Sequence, residues 1–150
     1  MSKAGKLYVA YGSNMNMEQM SRRCPTAMLV GRSELSGYKL LFRGSTSNAV
    51  ATVEPVAGVA TPVLVWLLQP EDEAMLDMYE GYPNFYRKET VRVLHNGKMV
   101  DAMIYIMNDG RSLGRPCAEY FAAIRKGYTD AGFDVKILRE AVLNSVNGDK

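Results

Sequence analysis

Two stretches of the chain bring together residue types that could do anion-binding or acid–base chemistry. The first is Tyr8-Val9-Ala10-Tyr11-Gly12-Ser13-Asn14. Leu7 to Tyr11 are apolar or aromatic, which reads as a strand over Lys6–Tyr11. Gly12 breaks it. A helical pattern follows over Asn16–Arg23, with Asn16 as cap and Gln19 three residues on, and it stops before Pro25. Strand, glycine turn and helix N-terminus together aim backbone N–H groups at one spot and favour an anion there. Gly12 lacks the Cβ that would hold a ligand off the backbone. Many buried strands end in such a turn and bind nothing, and the physics of the stretch alone leaves both readings open. It is neither a Walker loop nor a dinucleotide fingerprint, because the further glycines and the lysine are missing.

The second stretch is Leu76-Asp77-Met78-Tyr79-Glu80-Gly81. Pro70, then Glu71, Asp72 and Glu73, suit the first turn of a helix, and Gly81 suits its end. Glu80 therefore lies at the negative end of a helix dipole, beside the apolar stripe and between Tyr79 and Tyr82. Asp77 is near enough to add like-charge repulsion. Each effect raises a carboxylic pKa, as proton transfer near neutral pH requires. The same features fit a solvated glutamate at a helix end, which is the commoner case.

Other chemistries lack residues. The single histidine, His95, sits beside Asn96-Gly97, the strongest short hairpin signal, so it is expected exposed and idle. Without it, Ser-His-Asp or Cys-His catalysis and His/Cys zinc sites have no basis. Cys24 and Cys117 are far apart and read as free thiols. A net charge of +2 is too small to imply nucleic-acid or membrane binding, and Arg22-Arg23 reads as a solvated helix end. The N-terminus has no apolar signal segment, and no apolar run approaches a membrane span. A cytoplasmic protein is the expectation. At 150 residues, 47% apolar and 23% charged, one domain spanning 1–150 is expected.

The remaining elements must position these residues. Short strands are expected at Ala27–Val30, Tyr38–Phe42 and Ala49–Val53, with connections at Gly31–Gly37, Gly44–Asn48 and Glu54–Pro62. Val63–Leu68 is apolar throughout and reads as a strand buried on both faces. Tyr86–His95 and Lys98–Met107 flank Asn96-Gly97 as a hairpin, whose two-residue turn sets Arg92 opposite Asp101 and Lys88 opposite Tyr105. Val91, Val93, Val100, Ala102, Ile104 and Ile106 then form a core face. Tyr86 and Tyr105 share the other face as diagonal neighbours. Pro116 is expected to open a helix reaching Gly127, with Tyr120, Phe121, Ile124 and Tyr128 on one stripe. A last helix is expected over Val135–Val146, with Asp134 as cap and Phe133 and Leu138 as staple. Met1–Gly5 and Asn147–Lys150 read as tails.

Tyr-x-Ala-Tyr-Gly-Ser-Asn-Met near the N-terminus, followed by Asp77-x-x-Glu80-Gly81 at a helix end, resembles the γ-glutamylcyclotransferase family, the AIG2-like fold. The order of motifs is similar from about Leu7 to about Tyr128. The family's tyrosine after the glutamate motif is matched by Tyr86, its later strand tyrosine by Tyr105, and a helix tyrosine by Tyr120. Pro62-Val63 departs from the glycine-containing strand start that the family would suggest. The resemblance implies an α+β fold, a small mixed β-barrel flanked by helices. It implies Glu80 as the catalytic acid/base. Tyr8, Val9, Ala10, Tyr11, Gly12, Ser13, Asn14, Tyr86, Tyr105 and Tyr120 would bind a small γ-glutamyl substrate, with no cofactor and no metal. The α-amine would attack the γ-carbonyl within one molecule and release 5-oxoproline with an amine or amino acid. A monomer or homodimer is expected, without nucleic-acid or membrane partners. Three alternatives stay open: a γ-glutamylamine cyclotransferase, one acting on a γ-glutamyl-protected biosynthetic intermediate, and a non-catalytic small-molecule binding module on the same fold.

Overall fold

A computed structural model describes residues 5–147. Its elements run β1 Lys6–Ala10, a 3₁₀ turn Ser13–Met15, α1 Met17–Arg23, β2 Met28–Arg43, β3 Val50–Leu68, α2 Pro70–Glu80, β4 Tyr86–His95, β5 Lys98–Met107, α3 Ala118–Ala131 and α4 Val135–Asn147. The five strands form one mixed sheet in the order β2-β3-β1-β5-β4. β1 runs parallel to β5, and the other pairs are antiparallel.

The hairpin forms in the register its turn requires, with His95 opposite Lys98 and Lys88 opposite Tyr105. Asn96 and Gly97 both have positive φ, 54° and 76°, the backbone that a tight primed turn needs. The face of Val91, Val93, Ala102, Ile104 and Ile106 is buried in the core. The opposite face is exposed at Arg92 and Asp101 but buried at Tyr86, Met103 and Tyr105. Its buried end forms a wall of the site.

Three expectations about strands and helices are corrected. Ala27–Val30 and Tyr38–Phe42 belong, from Met28, to one strand, β2, because bulges between Leu29 and Gly31 and between Ser36 and Tyr38 set Val30 and Gly37 out of the ladder without ending it, while Gly31 itself pairs with Val65. Ala49–Val53, the expected connection Glu54–Pro62 and Val63–Leu68 likewise merge, from Val50, into β3. Its Pro55 and Pro62 are tolerated because β1 pairs only with Leu64–Leu68, so β3 has a single laddered neighbour at both prolines. Val63–Leu68 is buried at every position but Leu67, as a two-faced strand should be. Finally, α3 starts at Ala118, not Pro116, and continues past Gly127 to Ala131. Gly127 serves a close approach instead: a Cβ there would lie 2.8 Å from the Met15 backbone.

The sheet curls but its ladder does not close, so it is an open sheet and not a complete barrel. The edge strands β2 and β4 meet through a side chain, where the Ser33 hydroxyl donates to the Leu94 carbonyl at 2.8 Å. The two bulges that flank Ser33 interrupt the β2 edge that would have to pair.

Two helices are anchored by their caps. α2 carries a reciprocal capping box between Gln69 and Asp72. Asp72 is buried and also accepts from the Thr26 hydroxyl at 2.7 Å. Gly81 ends α2 in the left-handed region at φ 67°. In α4, Asp134 accepts from the Lys136 N–H at 2.9 Å, as a cap should, and Leu138 is fully buried. The expected tails at 1–4 and 148–150 lie outside the described residues, and Asn147 belongs to α4.

Candidate active site

A pocket of about 210 Å³ opens where β1, the turn after it, β3, the end of α2, the hairpin and α3 converge. Tyr8, Tyr11, Gly12, Ser13, Asn14, Glu80, Tyr86, Tyr105 and Tyr120 all line it. Val9 and Ala10 do not: both are packed in the core. Strand alternation turns Val9 away from Tyr8. Four lining residues were not singled out in the sequence, namely Val50, Ala51, Tyr79 and Phe85. Tyr79 and Phe85 were legible as neighbours of Glu80 and Tyr86. Val50 and Ala51 carry no local signal, since only the long β2–β3 pairing brings them there.

The turn is built differently from a strand running straight into an α-helix. A 3₁₀ turn intervenes, with Met15 N–H bonded to the Gly12 carbonyl and Asn16 N–H to the Ser13 carbonyl. The α1 dipole therefore begins at Asn16, whose side chain accepts from Gln19 N–H. The N–H groups of Ser13 and Asn14 precede the first 3₁₀ bond, and both residues line the pocket. Gly12 has φ −124°, so it is not required for a left-handed backbone. What it leaves is space: a Cβ would sit a tight 3.2 Å from Ala51 Cβ and at ordinary contact distance, 3.5 Å, from the Tyr120 hydroxyl.

Hydrogen bonding sorts five of the six pocket phenols, all but Tyr79, into two kinds. The hydroxyls of Tyr11, Tyr86 and Tyr105 donate to the Tyr105 carbonyl, the Ala51 carbonyl and Asp77 Oδ1, each at 2.6 Å. Their hydrogens are spent, and only lone pairs remain to be offered. Tyr8 accepts from the Asn14 side-chain amide at 2.8 Å, and Tyr120 accepts from Ala51 N–H at 2.9 Å. These two keep a hydrogen to donate. Burial raises the pKa of all five above the usual phenol range, so they are neutral hydrogen-bonding groups and not proton carriers.

Glu80 is the exception among the charges around it. Glu73 and Asp77 are both held by Lys88 Nζ, at 2.6 and 2.9 Å. Glu80, half-buried on the pocket wall, has no hydrogen-bond or ion-pair partner among the described residues. Burial pushes its carboxyl up to about 7, opposed by the Arg23 guanidinium. Asp77, expected to repel Glu80, is itself ion-paired to Lys88. The thiol of Cys24 is pushed up to about 11 by burial and lies outside the pocket. His95 is at the hairpin turn, the opposite end of β4 from Tyr86. Among the described residues no cluster of His, Cys, Asp and Glu is placed to hold a metal ion, and no helix is long and apolar enough to cross a membrane.

A family model described as gamma-glutamyl cyclotransferase, AIG2-like, matches residues 8–122. The chain belongs to this family. The match spans every pocket-lining residue and leaves out α4. Among relatives of this cyclotransferase-family chain, it is 28% identical over 149 residues to a gamma-glutamylcyclotransferase of Bos taurus, covering 93% of this chain and 78% of the relative. It is 29% identical over 139 residues to a gamma-glutamylcyclotransferase of Homo sapiens, covering 87% and 73%. A solved gamma-glutamyl cyclotransferase superposes with a TM-score of 0.82 over 92% of this chain and 86% of its own, at 24% identity. That likeness is of fold.

Proposed function

We propose that this chain is a cofactor-independent γ-glutamylcyclotransferase whose proton carrier is Glu80. The observation that carries the reading is an unpartnered, half-buried carboxyl at about 7, on the wall of a small pocket in a cyclotransferase-family fold. Such a carboxyl both accepts and returns a proton near neutral pH.

The reaction needs little else. The attacking amine and the γ-carbonyl belong to one molecule, so orientation supplies much of the rate. The lone pairs of Tyr11, Tyr86 and Tyr105 suit the α-ammonium. The remaining hydrogens of Tyr8 and Tyr120, with the N–H groups of Ser13 and Asn14, suit the α-carboxylate or the developing oxyanion. Glu80 takes a proton from the α-ammonium. The freed nitrogen attacks the γ-carbon and closes a five-membered lactam. Glu80 then gives the proton to the departing nitrogen as the γ-amide bond breaks, and the second proton that the ring nitrogen sheds passes by the same carboxylate to the released amine, which yields 5-oxoproline and an ammonium. No net proton is gained or lost. The test is incubation with a panel of γ-glutamyl amino acids and γ-glutamylamines, with 5-oxoproline and the leaving amine both measured. Equal release of the two supports the reading and ranks the leaving groups. Tight binding without turnover would favour the non-catalytic module.

A further inference from the structure

Arg23, the last residue of α1, folds back over the site instead of pointing into solvent as Arg22 does. One guanidinium nitrogen donates to Asn14 Oδ1 at 2.5 Å and to Ser13 Oγ at 3.3 Å, and the other to Gln19 Oε1 at 2.8 Å. Its Cζ lies 3.7 Å from the centroid of the Tyr79 ring, and the Tyr79 hydroxyl is 3.1 Å from the same Ser13 Oγ. Arg23 therefore ties the 3₁₀ turn to the residue preceding Glu80, across the pocket. All these partners are neutral, and among the described residues Arg23 makes no salt bridge, so its charge is not cancelled locally.

We propose that Arg23 is a positioning residue of this site, clamping the Ser13–Asn14 turn while turning an uncompensated positive charge toward Glu80. The proposal rests on the reading of Glu80 as proton carrier. The titratable groups facing Glu80 are otherwise phenols: Tyr8 and Tyr11 from β1 and the residue after it, Tyr79 from α2 itself, Tyr86 from β4, Tyr105 from β5 and Tyr120 from α3. Asp77, one turn earlier on α2, is paired with Lys88. Arg23 is then the group whose charge offsets part of the burial penalty on the Glu80 anion. A guanidinium fork holds several acceptors at fixed angles, which an ammonium does not.

The experiment is carboxyl ¹³C NMR titration of Glu80 in the ligand-free protein, with amide exchange measured on the same samples. In Arg23→Gln, the Glu80 midpoint should move upward by about one pH unit, the lower end of what a nearby opposite charge does. In Arg23→Lys the charge stays, so the midpoint should stay near wild type. The lost fork should speed exchange of the Met15 and Asn16 amides roughly tenfold. A folded Arg23→Gln with an unmoved midpoint overturns the proposal. If Arg23→Gln does not fold, unchanged exchange in Arg23→Lys overturns it. Neither readout needs turnover, so absence of 5-oxoproline formation would count against the functional reading alone.

Discussion

The Tyr105 hydroxyl donates to Asp77 Oδ1 at 2.6 Å, and Lys88 holds the same carboxylate at 2.9 Å. Lys88 also bonds Glu73, which in turn bonds Lys6, so a chain of charges runs from the surface to the pocket wall. Asp77 was expected only to tune Glu80 by repulsion. Its place in the structure is behind Tyr105, where it fixes which way that phenol points its hydrogen. Tyr105→Phe and Asp77→Ala should each lower kcat/KM. A hydrogen bond to a charged group is worth roughly 1.5–3 kcal/mol, so each should also lower the melting temperature. The double variant should lose less than the two losses added, with a coupling of roughly 0.5–3 kcal/mol. Strict additivity would show that Asp77 does not orient the hydroxyl.

Gly12→Ala tests the approach to the turn. The new methyl meets Ala51 Cβ at 3.2 Å, a tight contact at the pocket wall, while φ −124° strains no alanine. The fold should survive with a loss of about 1 kcal/mol. Binding of 5-oxoproline should weaken at least severalfold by calorimetry. Wild-type affinity would make the turn purely structural.

Gly127→Ala sets two rules against each other. In a helix interior, alanine is favoured over glycine by roughly 0.5–1 kcal/mol. Here the methyl would press on Met15 backbone atoms at 2.8 Å, which cannot rotate aside. Overpacking costs about 1–3 kcal/mol, so packing should win and the melting temperature should fall. A rise would mean that α3 and the 3₁₀ turn are less closely packed than described.

What could be read in advance follows from how local each signal was. The hairpin register, the α2 boundaries and the Asn16 and Asp134 caps depend on a few adjacent residues, and all formed where those residues placed them. The long strands did not read as strands, because Gly31, Gly37 and Pro62 mark turns locally and only pairing between β2 and β3 overrides them. In the site, Glu80 and the tyrosines were legible as types at a spacing. Val9 and Ala10 were carried in with their motif and proved to be core. Arg23 read as a solvated helix end, since nothing in sequence distinguishes it from Arg22. The donor and acceptor roles of the phenols depend on partners up to 94 residues away, as for Tyr11 and Tyr105, and had no local signal.

The burial that raises the Glu80 carboxyl pKa should also weaken the fold above neutrality. Its carboxyl titrates at about 7 in the folded chain, against about 4.5 when free of its surroundings. Between those values the folded state binds more protons than the unfolded one, so stability falls as pH rises through that window. Glu80→Gln removes this dependence. Thermal unfolding at about pH 5 and about pH 8 should therefore show the variant gaining on wild type at the higher pH. Parallel curves would show that Glu80 is not desolvated.

The most direct test of the central claim is the rate of 5-oxoproline formation by Glu80→Gln. Glutamine keeps the size and polarity of the side chain but cannot carry a proton. Loss of a general acid–base group costs about 10²–10⁴ in rate, and kcat should fall by that order while 5-oxoproline binding is kept. In wild type, the acidic limb of kcat/KM should lie near the Glu80 value of about 7. A Glu80→Gln enzyme that turns over at close to the wild-type rate would contradict the account.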